Sequence, residues 1–443
     1  MTITQSPRGS LPRTMRRLEI ENRPSTNPKR SRGFFQPLPR GNFNARALLV
    51  VTGLMVTFGT IAIASASEGQ SSASGGSPWS IMIHDVIYLG FGVFALYVMS
   101  RVRIDQLVRK APLIMLSGLA LLIAVKAVGL TANGGKRWLN LRVIDLQPSE
   151  MFKLFTVLFV AWLVQQHHDE LNSWMQLAIW TLPVALGCSL ILMEPDIGTM
   201  SVVAIIAFVM LGVAGLSPRL MAMIVALGVA SFYGYMKFNP YSYARFFSFL
   251  HPNSDLQGNG YQLLQSKIGL GAGGLSGLGL GHSREKWGLL PNPHTDFIFT
   301  VIGEELGIIG TIFVIALFVA FLFAAVRIAQ KCTNDVYRLI AMGIATWITL
   351  EAVINIASVV GWWAVTGIPL PFFSYGGTAL ISELAAVGLL YNIAHDQSHS
   401  PDVSLQEYVR TDFHAVMDTR SSARSRSRSN VRSYPPTRHA RRR

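Results

Sequence analysis

The chain has 443 residues, of which 50% are hydrophobic and only 14% are charged, and its formal net charge is +14. Apolar runs recur from residue 45 to residue 394, and they exclude an ordinary soluble domain, since a helix needs roughly 20 apolar residues to cross the hydrocarbon core. Most of the excess positive charge lies in the two polar tails, where contact with membrane lipids or a protein is favoured over nucleic acid.

The apolar segments predict an all-α fold, a polytopic membrane protein with about ten transmembrane helices. Basic residues precede the first span and follow the last, which places both termini in the cytoplasm and the large loop between spans seven and eight outside it. We expect disordered basic cytoplasmic tails at 1–44 and 396–443 around a transmembrane domain at 45–395. The predicted spans are 45–66, 80–100, 111–132, 149–166, 175–193, 198–216, 219–237, 297–326, 337–363 and 378–394.

The outer loop between spans three and four gathers cations on the side where they are usually scarce. Lys136 and Arg137 precede Trp138 there, and a functional role is favoured for Arg137 and Trp138 over a simple interfacial anchor. Glu150 and Lys153 follow at the start of span four, three residues apart on one helical face. Their spacing is equally compatible with a helix-stabilising ion pair and with a site for an anionic head group.

A short acidic segment separates spans five and six. Glu194 and Asp196 flank Pro195 within apolar sequence, which predicts a broken helix that faces protein or water. Asp196 is either a ligand of a substrate or cation, or a helix cap, and the sequence favours neither. A divalent cation near this segment is an option that no ligand pattern supports, and the two cysteines form neither a disulfide framework nor a metal motif.

The long outer loop between spans seven and eight begins with Arg245 and then becomes rich in glycine before two cations, Arg284 and Lys286. Glycine-rich backbone can approach oxyanions closely, so this stretch suits a phosphate-bearing ligand. The Gly-Lys-Ser/Thr pattern of a nucleotide loop is absent from the sequence, and taken alone the stretch is more typical of a linker.

The end of this loop changes that interpretation, because His294 and Asp296 lead directly into the apolar segment of span eight. A carboxylate at the mouth of a membrane helix is costly and is therefore a functional candidate. The competing explanation is a helix N-cap, for which Asp is favoured, and both roles can coexist.

The last outer turn, residues 366–377, contains two prolines and cannot be helical throughout. It predicts a re-entrant loop buried in protein. Ser374 and Tyr375 could offer hydroxyls to a substrate, although lining a structural fold-back is the favoured role.

These motifs together resemble the SEDS family (shape, elongation, division and sporulation) across residues 45–395. The resemblance lies in six segments: 136–138 (KRW), 147–150 (QPSE), 194–196 (EPD), 293–299 (PHTDFIF), 303–307 (GEELG) and 369–377 (PLPFFSYGG).

The resemblance implies a peptidoglycan glycosyltransferase that polymerises lipid II at the outer face of the plasma membrane, with a class B penicillin-binding transpeptidase and other division proteins as partners. The division branch is favoured over the elongation branch, although Thr366 stands where many division members carry Lys. Asp296 matches the family's catalytic aspartate, and Trp138 matches its loop tryptophan.

The resemblance suggests an inverting reaction with Asp296 as general base. Further substrate-binding candidates are Glu150, Lys153, Asp196 and His294. Cations that would neutralise a departing pyrophosphate are Lys136, Arg137, Arg245, Arg284 and Lys286.

Three alternatives remain from the sequence: an elongation-type polymerase, a flippase or transporter of lipid-linked precursors, and a scaffold without catalysis. A transporter requires essential charges near the bilayer midplane, and Lys126, Glu351 and Asn355 are the candidates. The outward clustering of Asp296 and Arg137 favours surface chemistry instead.

Overall fold

The structure is a computed structural model that describes most of the chain between residues 43 and 396. The described ranges are 43–73, 80–132, 135–142, 144–167, 170–239, 258–396 and the separate residues 243, 246, 247 and 249. The predictions for Arg245 and for the two tails therefore lie outside the described residues.

The described residues form an almost entirely helical bundle, which confirms the predicted all-α, multi-pass membrane fold. Its α-helices, numbered here in chain order, are α1 (Phe43–Ala73), α2 (Ser80–Met99), α3 (Ile104–Arg109), α4 (Ala111–Val128), α5 (Pro148–His167), α6 (Trp174–Leu192), α7 (Ile197–Val213), α8 (Pro218–Phe238), α9 (Asn259–Gly273), α10 (Ile298–Lys331), α11 (Asp335–Val360) and α12 (Thr378–Asp396). Short 3₁₀ helices cover Glu170–Asn172 and Glu285–Trp287.

Ten of these helices coincide with the ten predicted spans, and eight of them are long and apolar enough to cross a membrane. The other two are α5, which begins with several polar residues, and α7, which has only 17 residues. The exact number of spans and the side of the large loop stay predictions.

A small antiparallel sheet replaces the end of the third predicted span. Strand β1 (Leu130–Ala132) pairs with β2 (Gly135–Asn140), which pairs with β3 (Asp145–Leu146). The prediction of helix up to residue 132 is wrong because α4 ends at Val128 and Gly129 takes an extended backbone conformation. The sheet presents Arg137 and Trp138 from a strand rather than from a loose loop.

The glycine-rich stretch of the long loop is tightly packed, unlike a bare linker. A Cβ on Gly273 would lie 2.0 Å from the carbonyl oxygen of Gly303, and one on Gly277 would lie 2.1 Å from that of Glu305. Opposite this stretch, α10 is kinked at Gly307, whose φ of 67° favours glycine. Close contact between backbones therefore accounts for these glycines without a phosphate ligand.

The last helix, α12, lies at the centre of the bundle, where it packs along α2 and also contacts α1, α5 and α11. The segment between α11 and α12 is non-helical and mostly buried, with Ile368, Leu370 and Phe373 each no more than 3% exposed. This agrees with the predicted fold-back. By contrast, α8 packs loosely, and Met236 is its one buried residue.

Candidate functional site

A polar pocket of about 180 Å³ lies where the small sheet, the α6–α7 turn, the start of α10 and the segment before α12 meet. Four separate parts of the sequence thus contribute to one concave surface. The residues that line it are Arg137, Trp138, Gln147, Glu150, Asp196, Thr199, Asn292, Thr295, Asp296, Gly367, Pro369, Tyr375, Gly376 and Ala379. Five of the site residues predicted from sequence are therefore brought together: Arg137, Trp138, Glu150, Asp196 and Asp296.

Asp296 is half-buried and lies two residues before α10 begins at Ile298. The N-cap position belongs to Phe297, so the alternative in which Asp296 is the N-cap residue is wrong. The backbone carbonyl of Asp296 accepts a hydrogen bond of 2.9 Å from Nδ2 of Asn355. The aspartate therefore lines the pocket from an irregular segment that α11 holds in place.

Arg137 joins the sheet to the turn between α6 and α7. Its Nε and Nη2 donate to the carbonyls of Glu194 and Pro195, each at 2.8 Å, and its Nη1 lies 3.9 Å from Oδ2 of Asp196. These contacts satisfy carbonyls at the end of α6 and keep the guanidinium at the pocket wall. Trp138, the next residue on β2, is half-buried against the same pocket.

Asp196 is a helix cap. Its Oδ1 accepts from the backbone N–H of Thr199 at 2.9 Å and its Oδ2 from the Thr199 hydroxyl at 3.0 Å, at the start of α7. Asp196 also lines the pocket. Of the two roles that the sequence left open, the structure shows the helix cap. Its role as a substrate ligand stays a prediction.

Glu194 precedes the α6–α7 turn and is buried, and neither of its carboxyl oxygens has a hydrogen-bond partner among the described residues. Burial, together with the nearby Asp196, raises the pKa of this carboxyl to about 8 despite the lowering effect of Arg137 and Lys126. The Glu194 side chain is therefore largely protonated at neutral pH.

Glu150 lines the pocket and is fixed from behind by a buried lysine. Nζ of Lys153 lies 2.6 Å from Oε2 of Glu150 and also contacts the carboxylate of Glu351 on α11. Lys153 and Glu351 are almost completely buried, and Nε1 of Trp347 donates to Glu351 at 2.7 Å. The ion pair predicted within α5 is thus present, and it also joins α5 to α11.

His294 and Tyr375 pack against each other beside the pocket, with ring centroids 5.7 Å apart. The backbone N–H of Tyr375 donates to the carbonyl of His294 at 2.9 Å. Burial lowers the pKa of His294 to about 4 and raises that of Tyr375 to about 12. The imidazole is therefore neutral at pH 7, and the phenol retains its proton.

The structure does not bring three of the predicted cations to this pocket. Lys136 and Arg284 are exposed and do not line it. Lys286 is buried elsewhere, where its Nζ lies 2.8 Å from a carboxylate oxygen of Glu68 and 3.8 Å from one of Glu305. Lys286 thus holds the 3₁₀ helix against α1 and α10, while Arg245 lies outside the described residues.

From the sequence, Tyr375 was expected mainly to line a structural fold-back, and Asn355 was a candidate only under the transporter hypothesis. Tyr375 lines the pocket rather than only a structural fold-back, and Asn355 contacts the backbone of Asp296. Tyr375 precedes two glycines in a loop that cannot be helical, and this position is the feature of the sequence that could have indicated a pocket residue. Within the described part of the chain, no group of three or more His, Cys, Asp or Glu side chains is arranged to hold a metal ion.

A second concavity is apolar and has a volume of about 480 Å³. It lies between α9, α10 and α11 and includes the kink of α10. The residues that line it are Leu270, Phe299, Gly303, Gly307, Ile308, Thr311, Ile315, Val353, Ile356, Ala357, Val360 and Trp362. We refer to it as the apolar groove.

Two curated relatives match most of the chain. A protein of Coxiella burnetii, named a probable peptidoglycan glycosyltransferase FtsW, is 36% identical over 79% of this chain and 95% of its own length. The stage V sporulation protein E of Bacillus subtilis is 34% identical over 78% of this chain and 96% of its own length.

Two solved structures have a fold similar to that of this chain. A chain from a study of a peptidoglycan synthase complex, which coordinates polymerisation and crosslinking, superposes with a TM-score of 0.66 at 28% identity and covers 80% of this chain and 98% of its own. The rod-shape-determining protein RodA of Thermus thermophilus superposes with a TM-score of 0.57 at 26% identity over 80% and 97% of the two chains.

The family model described as "Cell cycle protein", which covers FtsW, RodA and SpoVE, matches residues 45–399. This range contains every lining residue of the polar pocket and almost all of the helical bundle. The chain therefore belongs to the FtsW/RodA/SpoVE family.

Proposed function

We propose that this protein is a peptidoglycan glycosyltransferase that polymerises lipid II into glycan strands during cell division. The observation that carries the proposal is the polar pocket, in which Asp296 shares one concave surface with Trp138, Arg137 and Tyr375. Named relatives of the same family are probable peptidoglycan glycosyltransferases of the FtsW type. The division role is therefore favoured over the elongation role.

In the proposed reaction, Asp296 acts as general base. Its carboxylate takes the proton from the 4-hydroxyl of the acceptor sugar while that oxygen attacks the anomeric carbon of the donor. The bond between the anomeric carbon and the phosphate oxygen breaks, and the lipid pyrophosphate leaves with the bonding electrons. Formation of a β-linked glycan from an α-linked donor needs a single inversion, so no second, nucleophilic carboxylate is required.

The other pocket residues suit binding and charge stabilisation. Among the described residues that line the pocket, Arg137 is the only cation, and it can neutralise part of the charge on the departing pyrophosphate. Trp138 and Tyr375 offer aromatic surface to a sugar ring, and the protonated Tyr375 hydroxyl can donate a hydrogen bond. Lys136 is close in sequence on β2, while Lys286 is committed to its ion pairs.

The pocket lies at the end of the bundle that we assign to the outer face of the plasma membrane, at the division septum. This assignment rests on the basic residues near the helix ends, which favour the cytoplasmic side. The polar sugar and peptide groups of lipid II are then in reach of the pocket, while its lipid tail stays in the membrane.

We further propose a class B penicillin-binding transpeptidase as the partner. A similar chain belongs to a synthase complex that couples polymerisation and crosslinking. The apolar groove is a suitable contact for the partner's membrane helix, since apolar side chains line most of it. Other division proteins are expected at the polar tails.

A transporter is less well supported. The charges that it would need near the midplane are already engaged, since Lys126 donates to the carbonyl of Met193 and Glu351 pairs with Lys153. Nδ2 of Asn355 donates a hydrogen bond to each of two backbone carbonyls. These contacts are structural.

The proposal is tested by polymerisation of labelled lipid II with the purified protein and its cognate transpeptidase. We compare the native chain with Asp296→Asn and Asp296→Ala at equal folded amounts. Loss of a general base is expected to reduce the rate by about 10²- to 10⁴-fold in both variants. Asp335→Asn is the matched control, because this exposed aspartate lies at the far end of α11 in an ion pair with Arg338.

Glycan strands from the native chain and from the Asp335 variant alone support the assignment. Strands from all four proteins at similar rates would remove Asp296 from catalysis. If none of them forms glycan strands, the chain is not a polymerase under these conditions, and this result supports the transporter or scaffold hypothesis.

A further inference from the structure

Asn355 is a buried amide on α11 that contacts two walls of the polar pocket. It is 1% exposed. Its Nδ2 donates to the carbonyl of Asp296 at 2.9 Å and to the carbonyl of Ile368 at 2.8 Å. Both N–H bonds of one amide group are therefore used to join two distant segments of the chain.

The Asp296 segment depends on such contacts because its own backbone is irregular. α10 begins at Ile298, so the carbonyl of Asp296 lies outside the regular hydrogen bonding of the helix. Upstream, the backbone N–H of Tyr375 donates to the carbonyl of His294 at 2.9 Å. These two cross-connections, both to the α11–α12 region, locate Asp296 relative to the rest of the pocket.

The other carbonyl belongs to a second segment beside the pocket. Ile368 is buried between Gly367 and Pro369, which both line the pocket. This segment is non-helical and cannot fix its position through regular secondary structure. The side chain of Asn355 thus joins the Asp296 segment to the segment around Ile368.

We propose that Asn355 is the positioning residue of the base Asp296, an inference that rests on the proposed function. General-base catalysis requires the carboxylate to lie within hydrogen-bond reach of the acceptor hydroxyl, and a small displacement lowers the rate steeply. Oδ1 of Asn355 is buried without a hydrogen-bond partner among the described residues, which is costly for stability.

The chain offers a matched control in Asn392 on α12. It is 2% exposed, and its Nδ2 also donates to two carbonyls, those of Met99 at 3.0 Å and Val102 at 2.6 Å. Asn392 lies 13 residues after the pocket residue Ala379 on the same helix, or about 20 Å along the axis. It has the same chemistry as Asn355 but is remote from the pocket.

The experiment compares Asn355→Leu with Asn392→Leu in the polymerisation of lipid II by the complex with the cognate transpeptidase. Each substitution removes one pair of buried donors and leaves two carbonyls unpaired, so similar losses of melting temperature are expected. At equal folded amounts, we expect kcat to fall about 10- to 100-fold for Asn355→Leu, with KM changed about twofold or less. Asn392→Leu should retain the native kcat.

A second readout does not depend on turnover. Hydrogen–deuterium exchange of the peptide covering 293–300 should be faster in Asn355→Leu than in the native protein, and unchanged in Asn392→Leu. If Asn355→Leu folds poorly, Asn355→Ser retains one donor, and we expect kcat and exchange between those of the native protein and the leucine variant.

Equal kcat and equal exchange in the two leucine variants, with an active native protein, would overturn the positioning role and leave the proposed function intact. A native protein that makes no glycan would overturn the proposed function and this inference with it. A fall in kcat confined to Asn355 variants, together with faster exchange at 293–300, supports the proposal.

Discussion

At the scale of residues, three carboxylates of the described part of the chain line the polar pocket. Glu150 is paired with the buried Lys153, and both oxygens of Asp196 accept hydrogen bonds from Thr199. Both groups therefore have structural contacts, while their roles as substrate ligands stay predictions. Asp296 is half-buried, lines the pocket just before α10 begins, and is the carboxylate that we propose as the general base.

A prediction at this scale concerns the buried His294. Its pKa is lowered to about 4 by burial, from the ordinary value of 6.5. Between these values the unfolded chain binds more protons than the folded chain, so the free energy of unfolding rises with pH and falls as pH drops from 6.5 toward 4. The full difference is on the order of 3 kcal/mol.

His294→Asn should therefore flatten the dependence of melting temperature on pH between 4.5 and 7, measured in detergent. His282→Asn is the control, since His282 is exposed. A slope that is the same in the native protein and in both variants would argue against a neutral, buried imidazole at position 294.

At the scale of elements, the packing of α9 and the following turn against α10 explains the glycines of the long loop. Gly273 faces the backbone of Gly303, and the next turn inserts beside the kink at Gly307. A side chain at these points would separate the two helices. The Asp296 segment enters α10 just before this contact, so the same packing supports the pocket.

Two glycines of α9 provide a matched pair. An added Cβ at Gly273 would lie 2.0 Å from a backbone oxygen, whereas one at Gly271 would meet no heavy atom within 4 Å. We expect Gly273→Ala to destabilise the protein by about 1–3 kcal/mol and Gly271→Ala to stabilise it by about 0.5–1 kcal/mol. Thermal unfolding of both variants checks this, and equal effects would contradict the close packing of α9 on α10.

At the scale of the whole molecule, the proposed polymerisation of lipid II requires the pocket to open to the outer side of the membrane. The basic residues of the short loops predict that orientation. Arg284 lies near the start of the 3₁₀ helix that precedes Asp296, and Arg338 lies near the start of α11 at the other end of the bundle.

The orientation is tested in a chain without Cys188 and Cys332 by adding single cysteines. We expect Arg284→Cys to react with a membrane-impermeant maleimide in intact protoplasts, and Arg338→Cys to react only after permeabilisation. Both native side chains are well exposed, so access should follow the side of the membrane. The reverse labelling pattern would place the pocket in the cytoplasm and contradict the proposed function.

The sequence by itself determined the approximate positions of the ten helices that match predicted spans, the break between α6 and α7, and the candidates Asp296, Arg137 and Trp138. These features depend on local properties: the length of an apolar run, the position of a proline, and the cost of a charge beside a membrane segment. Such properties act over one helix or one turn, so they can be recognised without knowledge of the fold.

Only the tertiary structure decided which candidates meet. Trp138 and Asp296 are far apart in sequence yet line one pocket. Lys286 forms an ion pair with Glu68 away from the pocket, and Asn355 donates a hydrogen bond to the backbone of Asp296. The small sheet and the packed glycines were likewise absent from the sequence prediction. The physical reason is that each of these arrangements depends on contacts between segments distant in sequence, and such contacts are set by how the helices pack against one another.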